Sequence, residues 1–136
     1  MIEIYSNNVE VSANATIPLN VTAISKGNSI TSNGAATLQF NKCGLYKVDV
    51  NASCVASAAG VLTIHMYKNG VAQAQALASE TAADATSIHD LSFSTIVQVG
   101  ENNTCCPCSA PTTITIVNTG VGATFSIIDV VATKYA

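Results

Sequence analysis

Residues 44–56 read GLYKVDVNASCVA. Tyr46, Val48, Val50, Ala52 and Cys54 alternate with Lys47, Asp49, Asn51 and Ser53. That is a repeat of two over about ten residues. Successive side chains of a strand point to opposite faces, so the pattern predicts a half-buried antiparallel strand.

The same signal recurs outward from this stretch. In GVLTIHMYKNGVAQAQALAS, 60–79, Leu62, Ile64 and Met66 fall on one face and Thr63, His65 and Tyr67 on the other. Asn69-Gly70 follows, a pair that tolerates positive φ and so marks a hairpin. The returning strand alternates Ala72, Ala74 and Ala76 with Gln73 and Gln75. A polar loop is expected over 80–87. IHDLSFSTIVQVG, 88–100, places Leu91, Phe93, Val97 and Val99 together. TTITIVNTG, 112–120, and ATFSIIDVVATKYA, 123–136, form a closing pair around Gly120-Val121-Gly122. Upstream, ATIPLNVTAIS and ATLQFN read as shorter strands, with Pro18 at an edge or a bulge. About eight to ten short strands with turns every 8–12 residues predict an all-β sandwich or jelly roll. The last strand is apolar on both sides, with Phe125, Ile127 and Val131 on one and Ile128, Val130 and Ala132 on the other. A two-layer sandwich buries one face of each sheet, so the second apolar face predicts oligomerisation through one sheet. His65 and Tyr67, on the outward side of their strand, meet the same demand.

Composition agrees and excludes several functions. Charged residues are 10% of the 136 and apolar residues 49%, with a net charge of −3. Such a chain fits one domain buried partly against copies of itself. The lysines are scattered, so a nucleic-acid surface is not expected. No apolar run approaches the roughly 18 residues of a membrane helix, so membrane insertion is not expected. The start, MIEIYSNNVEVSANATIPLN, has neither a basic region nor a continuous apolar stretch, so no signal peptide is expected. The N-x-[ST] patterns at Asn14, Asn20, Asn51 and Asn102 are then read as chance.

Four stretches, in this order and spacing, carry a resemblance: FNKCGLYKVDVNASCVA, LTIHMYKNGV, LSFSTIVQVGENNT and TTITIVNTGVGATFSIIDVVATKYA. Together they resemble the C1q/TNF-like jelly-roll domain over roughly residues 35–136. More narrowly, the chain is similar to the small C1q-like proteins of phages and prophages of Gram-positive gut bacteria, and to the tips of bacterial collagen-like surface proteins. The resemblance implies a sandwich of about ten antiparallel strands. It also implies a homotrimer about a threefold axis faced by the sheet that holds the last strand. His65, Tyr67, Ile128 and Val130 are the interface candidates. Residues 1–34 lie at the margin of the match, as first strands of the same domain or as a segment attaching it to a larger assembly.

Chemistry-bearing residues are few. Cys105, Cys106 and Cys108 could supply three of the four ligands of a zinc site, but adjacent cysteines rarely share one ion. No metal or cofactor is expected. Together with Cys43 these are the disulfide candidates. A local or intersubunit bridge, unpaired thiols, and a metal cluster on a threefold axis remain the alternatives. Cys54 falls on the apolar face, as a small hydrophobe. A nucleophilic cysteine needs a histidine base, and the histidines are His65 and His89. His89 and Asp90 are strand neighbours, pointing to opposite faces, so IHDLS is not expected to be catalytic. Asp129, interrupting an apolar strand, either caps a polar layer near the axis or faces a loop backbone. The expectation is a non-enzymatic virion protein: a head fibre, capsid decoration or fibre tip, assembled in the host cytoplasm. Its partners would be copies of itself and a capsid or fibre protein. Glu80, Asp84, Glu101, Asn102 and Asn103, in the loops 80–87 and 100–111, would reach a glycan or a host surface. The alternative is a bacterial surface or spore-coat protein of the same fold, serving adhesion or self-assembly.

Overall fold

The computed structural model describes residues 1–100 and 111–136. Among them the regular elements are strands: β1 (Ile2–Val11), β2 (Ala15–Thr16), β3 (Val21–Ser25), β4 (Ile30–Ser32), β5 (Leu38–Phe40), β6 (Gly44–Ala56), β7 (Gly60–Lys68), β8 (Val71–Ala82), β9 (Ile88–Val99), β10 (Thr112–Asn118) and β11 (Ala123–Lys134). They form two antiparallel sheets. The first, sheet A, runs β3-β1-β11-β6-β9; the second, sheet B, runs β4-β5-β10-β7-β8, with β2 added beside β10. Residues 1–34 supply β1 to β4, and Ile2, Ile4, Ile17, Leu19 and Ile30 among them are core residues.

β6 keeps its alternation without a fault: Tyr46, Val48, Val50, Ala52, Cys54 and Ala56 are buried. Across the sandwich they meet Leu62, Ile64 and Met66 of β7, Ile114 and Ile116 of β10, and Phe40 of β5 within one core. The Phe40 and Tyr46 rings stack at 4.3 Å, and the Tyr46 hydroxyl donates to the Lys42 carbonyl at 2.6 Å, so its one polar atom is satisfied. Burying each ring contributes about 1.5–3 kcal/mol. The hairpin after β7 turns at Asn69 and Gly70, with φ of 51° and 80°, the paired left-handed conformation these residues tolerate. The Asn69 side chain also accepts the Thr113 N–H at 2.9 Å, fixing the turn to β10.

Two strands depart from the expected alternation. In β11 the pairing with β6 slips between Phe125 and Ile127. Ser126 and Ile127 both point outward, a bulge that two residues on one strand make opposite one on the other. Phe125 therefore joins Ile128, Val130 and Ala132 in the core instead of opposing them. β1 follows the same kink through Asn8, at φ 51°. In β8 the register jumps from Leu77 opposite His65 to Ala72 opposite Tyr67, so Ala76 is buried while Ala72 and Ala74 are exposed. β8 also runs on through Ala82, shortening the expected 80–87 loop to 83–87.

Candidate functional site: the two outer faces and the two poles

The pairing register defines what each sheet shows to its surroundings. On sheet A, one row reads Val21, Tyr5, Asp129, Asn51, Ser92, and the next Ile24, Glu3, Val131, Asp49, Ser94. A third row reads Asn7, Ile127, Ser53, Asp90. Ile127, Ile96 and Ile88 are 42%, 47% and 72% exposed on this face. The rows enclose a shallow cavity of about 560 Å³ whose lining includes Glu3, Tyr5, Asn51, Asp90, Ile127 and Asp129. Asp129 thus lies in the middle of the outer face, not against a loop backbone. Partial burial, then the charge of Glu3 and a hydrogen bond with it, push its carboxyl up to about 6.

The four residues expected at an intersubunit contact do not share a face. Ile128 and Val130 are fully enclosed within one chain, because the bulge turns the core side of β11 toward them. The outward residues of β11 are Ile127, Asp129 and Val131. His65 and Tyr67 point outward, but from sheet B, since β7 pairs with β10 and β8 and not with β11. There His65 Nε2 meets the Gln73 carbonyl at 2.8 Å, bracing the irregular part of β8, and its ring stands edge-on to Tyr67 at 5.6 Å. Local alternation finds outward residues; it carries no information on which sheet a strand joins.

The loop candidates also separate. Loops 57–59, 83–87 and 119–122 cluster at one pole, next to the pairs Cys54 with His89 and Ala56 with Ala123. Gly100 and Pro111 flank the other pole, where Val99 pairs with Gly44 and Thr112 with Phe40. Asp84 closes its own turn: Oδ1 accepts the N–H groups of Thr86 at 2.9 Å and Ser87 at 3.0 Å. These bonds hold its carboxyl down at about 2. Glu80 belongs to β8 and not to a loop, and its Oε1 meets His89 Nδ1 at 2.7 Å. Glu101, Asn102, Asn103, Cys105, Cys106 and Cys108 lie outside the described residues.

His89 points inward and Asp90 outward, as the pleat requires. With Glu80, His89 joins the edges of the two sheets. Cys54, opposite His89 in the register, is a buried free thiol. Burial, and then the charges of Glu80 and Asp90, push it up to about 11, which keeps it a thiol and not a nucleophile at neutral pH. Cys43 is disulfide-bonded. Among the described residues no three His, Cys, Asp or Glu side chains are grouped to hold a metal, and no helix is long and apolar enough to cross a membrane.

Two packed antiparallel sheets in this order define a TNF/C1q-like jelly roll. Solved structures of that fold superpose on nearly the whole chain. Eiger TNF from S. frugiperda matches with a TM-score of 0.67 and 14% identity, over 99% of this chain and 92% of that one. The globular domain of zebrafish complement 1qA protein matches with a TM-score of 0.60 and 8% identity, over 95% and 92%. The PRD1 vertex protein P5 matches with a TM-score of 0.58 and 17% identity, over 99% and 96%. At such identities the likeness is one of fold. No protein-family model and no curated protein matches the chain.

Proposed function

We propose that this chain is a non-enzymatic structural protein of a virion, a head fibre, capsid decoration or fibre tip, that assembles as a homotrimer through the outer face of sheet A. The observation that carries this reading is the exposed apolar side chains on that face, Ile127, Ile96 and Ile88 with Val21 and Ile24 of β3. Isolated outward aliphatics are ordinary, and it is their spread across the sheet that holds the last strand that supports an interaction surface there. The likeness to a vertex protein supports the virion setting, and the scattered lysines and self-satisfied Asp84 loop offer no competing chemistry.

Light scattering tests the assembly. The expected mass is near three times 13.9 kDa, and Ile127→Lys, placing a charge on the face without touching the core, returns the chain to a monomer. Wild-type protein that is monomeric at high concentration overturns the reading. Particle composition tests the setting: in purified virions of the producing strain, mass spectrometry should find the chain in stoichiometric amount. Recovery from cell envelopes or spore coats instead would favour the bacterial surface alternative.

A further inference from the structure

We propose that self-association through the outer face of sheet A takes up protons at the Glu3–Asp129 carboxyl pair, so that the assembly tightens as the medium turns acidic. The inference rests on the self-association just proposed and concerns how that contact is regulated. Glu3 lies opposite Val131 and Asp129 opposite Tyr5 on the paired β1 and β11, which makes the two acids diagonal neighbours, within reach of each other's side chains. Both line the same shallow cavity. Two neighbouring carboxylates repel, and a proton bound to one relieves that repulsion and lets it donate to the other.

Among the described residues neither acid is in an ion pair. Lys47 on β6 is directed to Asp49 on the same strand, at 3.9 Å. Tyr5 and the more distant Glu10 on β1, and Asp90 on β9, are further titratable groups of this face; at its edge the Met1 ammonium donates to the Lys26 carbonyl at 3.0 Å, just beyond β3. Lys134, at the end of β11, donates to the Ala136 carbonyl instead. Asp129 is still partly hydrated in a single copy, and burial already opposes its charge. A second copy laid on this face removes the remaining water, and an unpaired charge resists that step.

The occupant that fits is another copy of the chain. Four strands of 10–13 residues at about 3.3 Å per residue, abreast at about 4.8 Å with the five-residue β3 beside them, give a face of roughly 35 by 20 Å, on the order of 700 Å². That is close to the roughly 800 Å² per partner of a stable interface. On contact, one solvent proton per copy binds a carboxylate oxygen, and the acid so formed donates to the remaining carboxylate.

Sedimentation equilibrium at pH 5.5, 6.5 and 7.5 tests this on wild type, Asp129→Asn, Glu3→Gln and Ile127→Lys. The wild-type association should strengthen by about tenfold per copy added between pH 7.5 and 5.5, within the ceiling of one decade per pH unit that one proton per copy sets. Asp129→Asn, which keeps a donor without a charge, should associate tightly with a flattened slope, and Glu3→Gln should do the same. The general loss of charge toward the sequence pI of about 5.0 acts on all variants, so the difference in slope isolates the pair. Asp129→Asn retaining the wild-type slope, or a wild-type constant equal at both extremes, overturns the proton linkage and leaves self-association standing. No association of wild type at any pH, or association unaffected by Ile127→Lys, overturns the self-association reading and the linkage with it.

Discussion

Asn118 is buried to 1% exposure, and it works as a small switchboard between three chain segments. Its amide donates to the carbonyls of Val121 at 2.9 Å and Val11 at 3.2 Å, and its oxygen accepts the Gly120 N–H at 3.1 Å. Asn118→Ala should cost about 2–4 kcal/mol in urea denaturation, because each buried polar group left unpaired costs roughly 1–3 kcal/mol. Asn118→Asp should be at least as harmful, since a carboxylate cannot donate to carbonyls. Asp129 gives a prediction of opposite sign. Its folded value of about 6 lies above its ordinary 3.8, so the native state holds the proton more firmly than the unfolded chain. The stabilisation is complete below about pH 4 and is lost as pH rises through about 6. Asp129→Asn should therefore raise the melting temperature at pH 7.5 and leave it unchanged at pH 3.5, read by circular dichroism. The sequence marks Asp129 as an intruder in an apolar run. The neighbour that explains it, Glu3, stands at the far end of the chain and is invisible to any local pattern.

Among the strands, legibility follows regularity. β6 pairs with β9 without a slip, and at its one slip against β11 the extra residue lies on β11, so its own period of two is unbroken and its core face reads directly from residues 44–56. The Asn69–Gly70 turn is equally plain, because its conformation is a local property of those two residues. β11 and β8 misread because a bulge is a relation between two strands: Ser126 looks like any small polar residue until it is seen against Ser53, whose carbonyl accepts its hydroxyl at 3.0 Å. The turn between β10 and β11 is a similar case. Gly120 packs against the backbone of β7, where an added Cβ would collide with the Val61 carbonyl oxygen and the Thr63 nitrogen. Neither atom can move without breaking the ladder. Gly120→Ala should cost more than about 3 kcal/mol, at the severe end for a surface turn, and a thermal melt checks it. Ser57, whose hydroxyl donates to the Gly122 carbonyl nearby at 2.9 Å, should tolerate alanine with a loss of about 1 kcal/mol.

At the level of the whole molecule, the jelly roll is legible in strand count, turn spacing and the order of the four stretches, while the sheet to which each strand belongs is not. That gap grouped His65 and Tyr67 with the last strand, although β7 and β11 lie in different sheets, and left the outer face of sheet A to be identified from the pairing. Sheet A joins the first strand to the last, so its central pair forms only after the two ends of the chain have met. Refolding from urea should accordingly take milliseconds to seconds, in the range of folds built on distant pairings. The same pairing sets Ile2 opposite Ala132, so the two ends emerge side by side at the pole away from loop 83–87. Chain order is then separable from architecture. Ligating Ala136 to Met1 through a few glycines and serines, and opening the ring within 83–87, would give a permutant that starts at β9 and ends at β8 yet keeps every ladder.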